Sequence, residues 1–382
     1  MKLIYIANMR TPTEKAHGIQ IMKMCEAFVK VGNEIELFAA RRFNHLKQDV
    51  FEYYGIERIF KIKNFFCLDL MPLEKFFGGL AFLIQSFSFF VSVFIRVIFK
   101  KADVVYIRDK FLLPLCLFKN NIVFEAHDFP ENYFLYSRFF RKTKKIIVIT
   151  RKLKDLFIEK GVEEDKIFVS PDGTDIEKFD IQCDMTEARK KLRLPQDKKI
   201  IVYTGHLYQW KGADTLLQAA EKFKNINSGL EVLFVFVGGT EKDIADFEKK
   251  SENSNNIKII GHRPHFEIPY WLKAANALVL PNSAKEKISK YWTSPLKLFE
   301  YMASGRPIVA SDLPSLIEIL NENNAILVKP DNSDDLAEGI FKALKGDELA
   351  DKISRQAFND VKNNTWLKRA DNILKFINNA KC

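Results

Sequence analysis

The sequence predicts an α/β protein of two doubly wound domains, each built on a parallel sheet. Three observations carry this. The chain has 382 residues, enough for two cores. Short apolar runs alternate with helical patterns along its whole length. Those runs are apolar at nearly every position, as strands covered on both faces are.

In the first half the strand-like runs are Leu3–Ile6, Glu34–Phe38, Val104–Ile107, Ile122–Glu125, Lys145–Ile149 and Ile167–Val169. In the second half they are Ile200–Tyr203, Val232–Val237, Ile257–Ile260, Ala277–Leu280, Ile308–Ala310 and Ala325–Val328. Helical patterns separate most of them. The polar stretch Asp180–Gln196, ending in Leu194-Pro195, is the expected boundary. It gives domains over 1–180 and 181–364, with a last helix over 365–382. Such sheets bind ligands beyond the C-terminal ends of their strands, so function is sought in the loops there.

Composition narrows the classes. Hydrophobic residues make up 47% of the chain, with no low-complexity tract. The net charge of +10 asks for an anionic partner. Nucleic acid is set aside, because the charges are dispersed and no recognised module occurs. Five cysteines, Cys25, Cys67, Cys116, Cys183 and Cys382, show no metal-like or redox-like spacing. Reduced thiols in a cytoplasmic protein are the simplest account. The opening MKLIYIANMR reads as a strand stopped by Arg10, too short for a secretory segment.

One segment pulls the other way. Phe76–Ile95 is twenty residues without a charge, long enough to span a bilayer. Its polar neighbours Glu74, Gln85, Ser88, Ser92, Arg96 and Lys100 fall in a helical row, which makes an amphipathic helix with a wide apolar face. Three readings stay open: a buried helix, a helix dipping into a membrane surface, and a span. Arg138, Arg141, Lys142, Lys144 and Lys145 cluster with Phe139 and Phe140. Such a patch suits an anionic lipid surface, or is a solvated helix face.

The strand-end loops hold the polar candidates. After Ile200–Tyr203 come Thr204-Gly205-His206, then Trp210-Lys211-Gly212 and a helix from Ala213. A glycine turn and a lysine at a helix entrance can hold phosphate oxygens, although a plain turn looks the same. Val232–Val237 runs into Gly238-Gly239, where a ligand or backbone can approach closely. Gly261-His262-Arg263-Pro264 and Pro281-Asn282 follow two further strands. In the first half, Ile122–Glu125 leads to Ala126-His127-Asp128. A histidine at a strand tip suits acid/base work, and Asp128 would hold its imidazole or meet an acceptor. Arg108, after Val104–Ile107, suits an acidic or phosphorylated acceptor. Gly18 lies in the first loop, as a close-approach site or a helix-entry turn.

Ser294 to Ser311, SPLKLFEYMASGRPIVAS, is the most telling stretch. Ser294 can cap a helix with Pro295 in its first turn, and Gly305 can end it. The free N–H groups and dipole at Ser294, Pro295, Leu296 and Lys297 form an anion seat. Glu300 is costly on so apolar a helix unless something polar meets it. A diphosphate at the helix start and ribose hydroxyls at Glu300 would fit.

This stretch resembles the donor motif of family-4 retaining glycosyltransferases, enzymes of the GT-B fold. That fold is two Rossmann-like doubly wound domains facing a cleft. Glu300-Tyr301-Met302-Ala303 matches the second of the family's two glutamates, and Trp292 stands in the place of the first. Gly205-His206 with Lys211-Gly212 is similar to the Gly-Arg … Lys-Gly motif, with His206 in the arginine's place. Pro171-Asp172-Gly173-Thr174-Asp175 with Phe179 resembles the Pro-Asn-Gly-Val-Asp…Phe signature. Gly238-Gly239, Pro281-Asn282 and a histidine at the place of His127 also have counterparts, so the resemblance covers almost the whole chain.

The resemblance implies transfer of a sugar from a nucleotide diphosphate to an acceptor hydroxyl with retention, as in cell-envelope polysaccharide or glycolipid synthesis. Catalysis would rest on His127, Lys211 and Glu300. The donor would meet Gly205, His206, Gly238, Gly239, Arg263, Pro281, Asn282 and the segment Ser294–Lys297. Gly18, Arg108 and Asp128 would face the acceptor. With no Asp-x-Asp motif and no His/Cys cluster, neither metal nor cofactor is expected, and the base is assumed to be uridine. The expected partners are the nucleotide sugar, a lipid-linked or saccharide acceptor and an anionic membrane surface. The expected location is the cytoplasm, at the inner face of the cell membrane. The rivals are a non-catalytic GT-B subunit and a nucleotide-sugar epimerase.

Overall fold

The computed structural model describes residues 1–223, 229–252 and 254–379. It divides into two units, Met1–Asp172 together with Trp366–Cys382, and Gly173–Thr365. Six helices enter the argument. They are α1 (Ala16–Lys30), α2 (Gly79–Phe99), α3 (Tyr133–Lys142), α4 (Ala213–Phe223), α5 (Leu296–Ala303) and α6 (Trp366–Asn378).

The first unit is built on seven strands: β1 (Lys2–Ala7), β2 (Glu34–Arg41), β3 (Lys61–Phe66), β4 (Val104–Ile107), β5 (Ile122–Ala126), β6 (Lys145–Val148) and β7 (Ile167–Val169). Their order is β3-β2-β1-β4-β5-β6-β7, with parallel pairing throughout. Central strand β1 is apolar from Leu3 to Ala7 because both its faces are covered. The strand not expected from the sequence is β3. Its sequence KIKNFF alternates and lies at the sheet edge, half in solvent, so it lacks the all-apolar signature. Helix α6 brings the end of the chain back onto α1.

The second unit holds β8 (Lys199–Thr204), β9 (Val232–Val237), β10 (Ile257–Gly261), β11 (Ala277–Leu280), β12 (Ile308–Ser311) and β13 (Ile326–Val328). The order is β10-β9-β8-β11-β12-β13, again parallel. One core face buries Leu298, Phe299, Tyr301 and Met302 of α5, and the other Leu216, Leu217 and Ala220 of α4. The strand order reverses between β8 and β11 here, and between β1 and β4 in the first unit. Loops leaving those strands flank the crevice where doubly wound sheets take ligands.

Helix α2 splits the polar row: Gln85 turns inward, Ser88 and Ser92 are half-buried and Arg96 is exposed. Gln85 is fully buried, with Ser86 beside it. Asn8 Nδ2 donates to Gln85 Oε1 and Ser86 Oγ, both at 3.1 Å, and Gln85 Nε2 donates back to Asn8 Oδ1 at 2.7 Å. Ala81, Phe89, Val93 and Val97 complete the inward face. The outward face is apolar, and only 28% of the helix's most apolar window is buried. This corrects the reading of a buried helix. The helix is long and apolar enough to cross a membrane, and its inward face is bonded into the unit. The basic patch is likewise re-sorted: Phe140 is core, while Phe134 and Leu135 are exposed beside Arg138, Arg141 and Lys142.

Candidate functional site

In the second unit the polar groups gather around the end of β8. Gly205 has φ +122°, a conformation that favours glycine. A Cβ there would lie 3.8 Å from Tyr203 Oη and 4.0 Å from Lys297 Nζ, ordinary contact distances, so this backbone sits directly beside the lysine. The other glycines approach protein. A Cβ on Gly238 would lie 2.4 Å from the Gly205 carbonyl oxygen, and one on Gly239 would press on Leu207 and Ile244. Gly212 packs against the Pro281 carbonyl in the same way, joining the loop after β8 to the loop after β11. Ser283 N donates to Trp210 O at 3.0 Å and secures that junction.

Helix α5 delivers two charged side chains. It begins at Leu296 with Pro295 at the N-cap position and no side-chain cap, so Ser294 is not the cap the sequence suggested. Tyr301 anchors it: its hydroxyl accepts from Thr204 N at 2.7 Å and pairs with Thr204 Oγ1 at 3.1 Å. Lys297 is buried, with Nζ 3.9 Å from the centre of the Tyr203 ring and without a hydrogen-bond partner among the described residues. Burial pushes its ammonium well below the usual lysine range, the charge of Lys211 lowers it further, and Glu300 offsets part. Lys211 ends a short turn after β8, near the Trp210 ring at 5.1 Å. Burial pushes it down to about 8. An anion reaching both would restore their charge, the reverse of the desolvation that depresses them.

Glu300 has the polar partner its setting demands: His265 Nε2 lies 2.8 Å from Oε1. Reading the loop after β10 for its basic residues pointed to Arg263, which is exposed, and passed over His265. The signal was the need for a partner within reach of Glu300. His206 stacks on Tyr208, with centroids 4.8 Å apart, and its carbonyl accepts from Tyr203 Oη at 2.6 Å. Asn282 is buried with Oδ1 unpartnered among the described residues, and Trp292 Nε1 is in the same position. Lys297, Asn282 and Trp292 thus hold buried polar atoms that no described residue satisfies. That pattern asks for an explanation outside the chain.

The first unit shows a second polar constellation at the ends of β1, β4, β5 and β7. Glu125, fully buried on β5, is its centre. It accepts from Gln20 Nε2 at 2.7 Å, Arg369 Nη2 at 3.0 Å, Tyr106 Oη and His127 Nε2 at 2.7 Å. Burial alone would raise this carboxyl; Arg369 and His127 outweigh it and hold it well below the usual range. Arg369, on α6, also donates to the carbonyls of Pro171 at 2.8 Å and Ser170 at 3.2 Å. Its Nη2 lies 3.8 Å from Asp172. Burial and then Arg108 lower the His127 imidazole, against the pull of Glu125.

Glu125, not Asp128, therefore holds His127. Asp128 points elsewhere and pairs with Lys110 at 3.6 Å. Arg108 Nη1 donates to Gln20 Oε1 at 2.5 Å and so belongs to the network. Gly18 lies inside α1, where the room of a Cβ is filled by Tyr54 and Thr13; its close approach is to protein. His17, also in this region, is driven down to about 3 by burial and then by Arg108. Among the described residues no three His, Cys, Asp or Glu side chains gather as metal ligands.

Residues 184–360, slightly less than half of the chain, match the family model of glycosyl transferases group 1. An uncharacterized glycosyltransferase of Methanocaldococcus jannaschii is 23% identical, over 84% of this chain and 79% of its own. A putative colanic acid biosynthesis glycosyl transferase of Escherichia coli is 24% identical, over 52% of this chain and 49% of its own. Among solved structures, sucrose-phosphate synthase from Thermosynechococcus elongatus superposes with TM-score 0.77 at 18% identity, covering 98% of this chain and 97% of that one. Anabaena HepE, in complex with UDP and glucose, gives 0.76 at 17% identity, with 100% of both chains covered. The sequence matches support a glycosyltransferase, and the solved structures the GT-B fold.

Proposed function

We propose that the chain is a family-4 retaining glycosyltransferase. It moves a hexosyl group from a nucleoside diphosphate, of the uridine type, to the hydroxyl of a lipid-linked or saccharide acceptor. The setting is cell-envelope polysaccharide or glycolipid synthesis at the cytoplasmic face of the membrane. The relative named for colanic acid biosynthesis and the UDP held by HepE support this reading. The alternatives, a non-catalytic subunit or an epimerase, gain nothing from these relatives.

One observation carries the proposal: half-buried Lys211 and buried Lys297 are both depressed cations, and Lys297 Nζ lies beside the backbone of Gly205. In this reading the diphosphate lies against both ammonium groups and the uncapped first turn of α5. There they stabilise the charge that develops as the glycosidic bond to phosphate breaks. Glu300, oriented by His265, takes the ribose hydroxyls. Trp292, where the family has its first glutamate, offers an indole N–H to the sugar. His127 is the acid/base group of the first unit, held by Glu125. The acceptor hydroxyl attacks on the face the diphosphate leaves, so configuration is retained. No resident metal or cofactor takes part.

The test is donor turnover by the purified chain against a panel of nucleotide sugars. We expect UDP to protect the protein thermally and donor consumption to vanish in Lys211→Ala and Glu300→Ala. Full activity in both variants would overturn the site. Conversion of donor to an epimer without acceptor would overturn the reaction.

A further inference from the structure

Resting on the membrane part of that reading, we propose that the outer face of α2 lies on an anionic bilayer. We further propose that a basic cleft at its C-terminal end receives a phospholipid headgroup. Leu80, Leu83, Phe87, Val91, Ile95 and Phe99 follow one another at spacings of three and four, and all are exposed. They form a single stripe about 28 Å long at the rise of an α-helix. Phe87 is 69% exposed and Phe99 86%. Between Gly79 and Phe99 the sole charge is Arg96. A stripe facing water would be expected to carry charges; a contiguous apolar one marks an interaction surface.

Charge selects the occupant. Where the stripe ends, a cleft of about 620 Å³ is lined by Lys2, Arg96, Lys100 and Lys101 beside Ile95 and Phe99. Lys2 pairs with Glu34 at 3.2 Å and Lys100 with Glu36 at 2.5 Å. Among the described residues Arg96 and Lys101 have no acidic partner. The rings thus reach acyl depth where the guanidinium and ammonium sit at headgroup level, as long basic side chains do at a bilayer surface. The surface continues beyond α2. Phe94 meets the exposed Phe118, with centroids 4.9 Å apart. Both α2 and α3 pack on the segment Lys110–Leu117, and α3 carries exposed Phe134 and Leu135 with Arg138, Arg141 and Lys142. The inward hydrogen bonds of Gln85 and Ser86 to Asn8 keep the helix lying along the surface rather than through it.

The experiment is flotation of the full chain with phosphatidylcholine vesicles, with and without phosphatidylglycerol. We expect binding to the anionic vesicles only. Arg96→Ala with Lys101→Ala should weaken it roughly 30-fold, and Phe87→Glu should abolish it. UDP should protect each variant as it protects the wild type, which shows that the fold is intact. Equal binding to both vesicle types, or no loss in the double variant, would overturn the headgroup cleft. A dimer that masks the stripe and ignores vesicles would overturn the bilayer as occupant. Equal competition by soluble glycerol phosphate would assign the cleft to a free phosphate instead. A chain that binds UDP but not vesicles sinks this inference alone; one that binds vesicles but not UDP sinks the donor site alone.

Discussion

The two units bury charge in opposite ways. In the first, Glu125 is surrounded by donors from Gln20, Tyr106, His127 and Arg369, and the positive and negative groups answer one another. In the second, half-buried Lys211 and buried Lys297 are both depressed, and the Nζ of Lys297 has no hydrogen-bond partner among the described residues. A charge compensated inside the protein holds the protein together. A charge left uncompensated is a cost that a ligand of opposite sign can remove. In the proposed reading the first cluster positions His127, and the second seats an anion.

Removing one partner from the closed network should have the largest effect. Arg369→Met leaves the Glu125 carboxylate buried without its cation. We expect a loss of about 3–5 kcal/mol in denaturant unfolding. Glu125→Gln in the same chain should recover part of it, since neighbouring changes are not additive. A near-neutral Arg369→Met would break the comparison, because the first cluster would then not depend on internal pairing.

The open cluster should respond with the opposite sign. Lys297→Met removes a buried ammonium that has the Tyr203 ring beside it but no hydrogen-bond partner among the described residues, so stability is held or raised. Affinity for UDP should fall by about 2–3 kcal/mol, the loss of a charge-assisted contact. Calorimetric binding and thermal unfolding on the same sample check both halves. Loss of stability together with binding would show that Lys297 has a structural partner after all.

The sequence revealed these regions unequally. Strands were legible because covered strands are apolar at every position, and β3 escaped because an edge strand is not. Lys211, Lys297 and Glu300 were legible because their chemistry is local to a strand end or a helix start. Glu125 and Arg369 were not, because they are 244 residues apart and meet only when the last helix folds back. A signal existed: each is a lone charge in an otherwise buried row, Arg369 among Trp366, Ala370, Ile373 and Ile377. Periodicity found a polar row on α2 but not which of its members turn inward: Gln85 does and Arg96 does not. That was decided by Asn8, whose amide needs Gln85 and Ser86.

The pH dependence sharpens the contrast in the middle range. Lys211 titrates near 8 in the folded protein and near 10.4 when unfolded. Below pH 8 it is already charged, and a diphosphate binds without recruiting its proton. Above pH 8 a proton must be taken up, so affinity should fall up to tenfold per pH unit, with buffer-dependent binding heats as the readout. Stability moves the other way. A lysine lowered on folding costs stability fully below about 8, and that cost lifts as pH rises toward 10.4. The unliganded wild type should therefore gain on Lys211→Met over the window in which its affinity declines. Parallel curves for wild type and variant would remove Lys211 from the site.

The smallest expected effect tests the replacement at Trp292. Its buried indole N–H has no partner among the described residues, yet it stands where the family carries a sugar-binding glutamate. If the sugar takes that N–H, Trp292→Phe should weaken a nucleotide sugar by about 1 kcal/mol, the value of one neutral hydrogen bond. Affinity for UDP alone should stay unchanged. The ratio of the two affinities is the informative quantity, because lost ring volume would disturb both ligands alike. An equal fall in both would mean that the indole only fills space. A fall confined to the sugar would show that an orphan donor, like the orphan cations, is completed by the substrate.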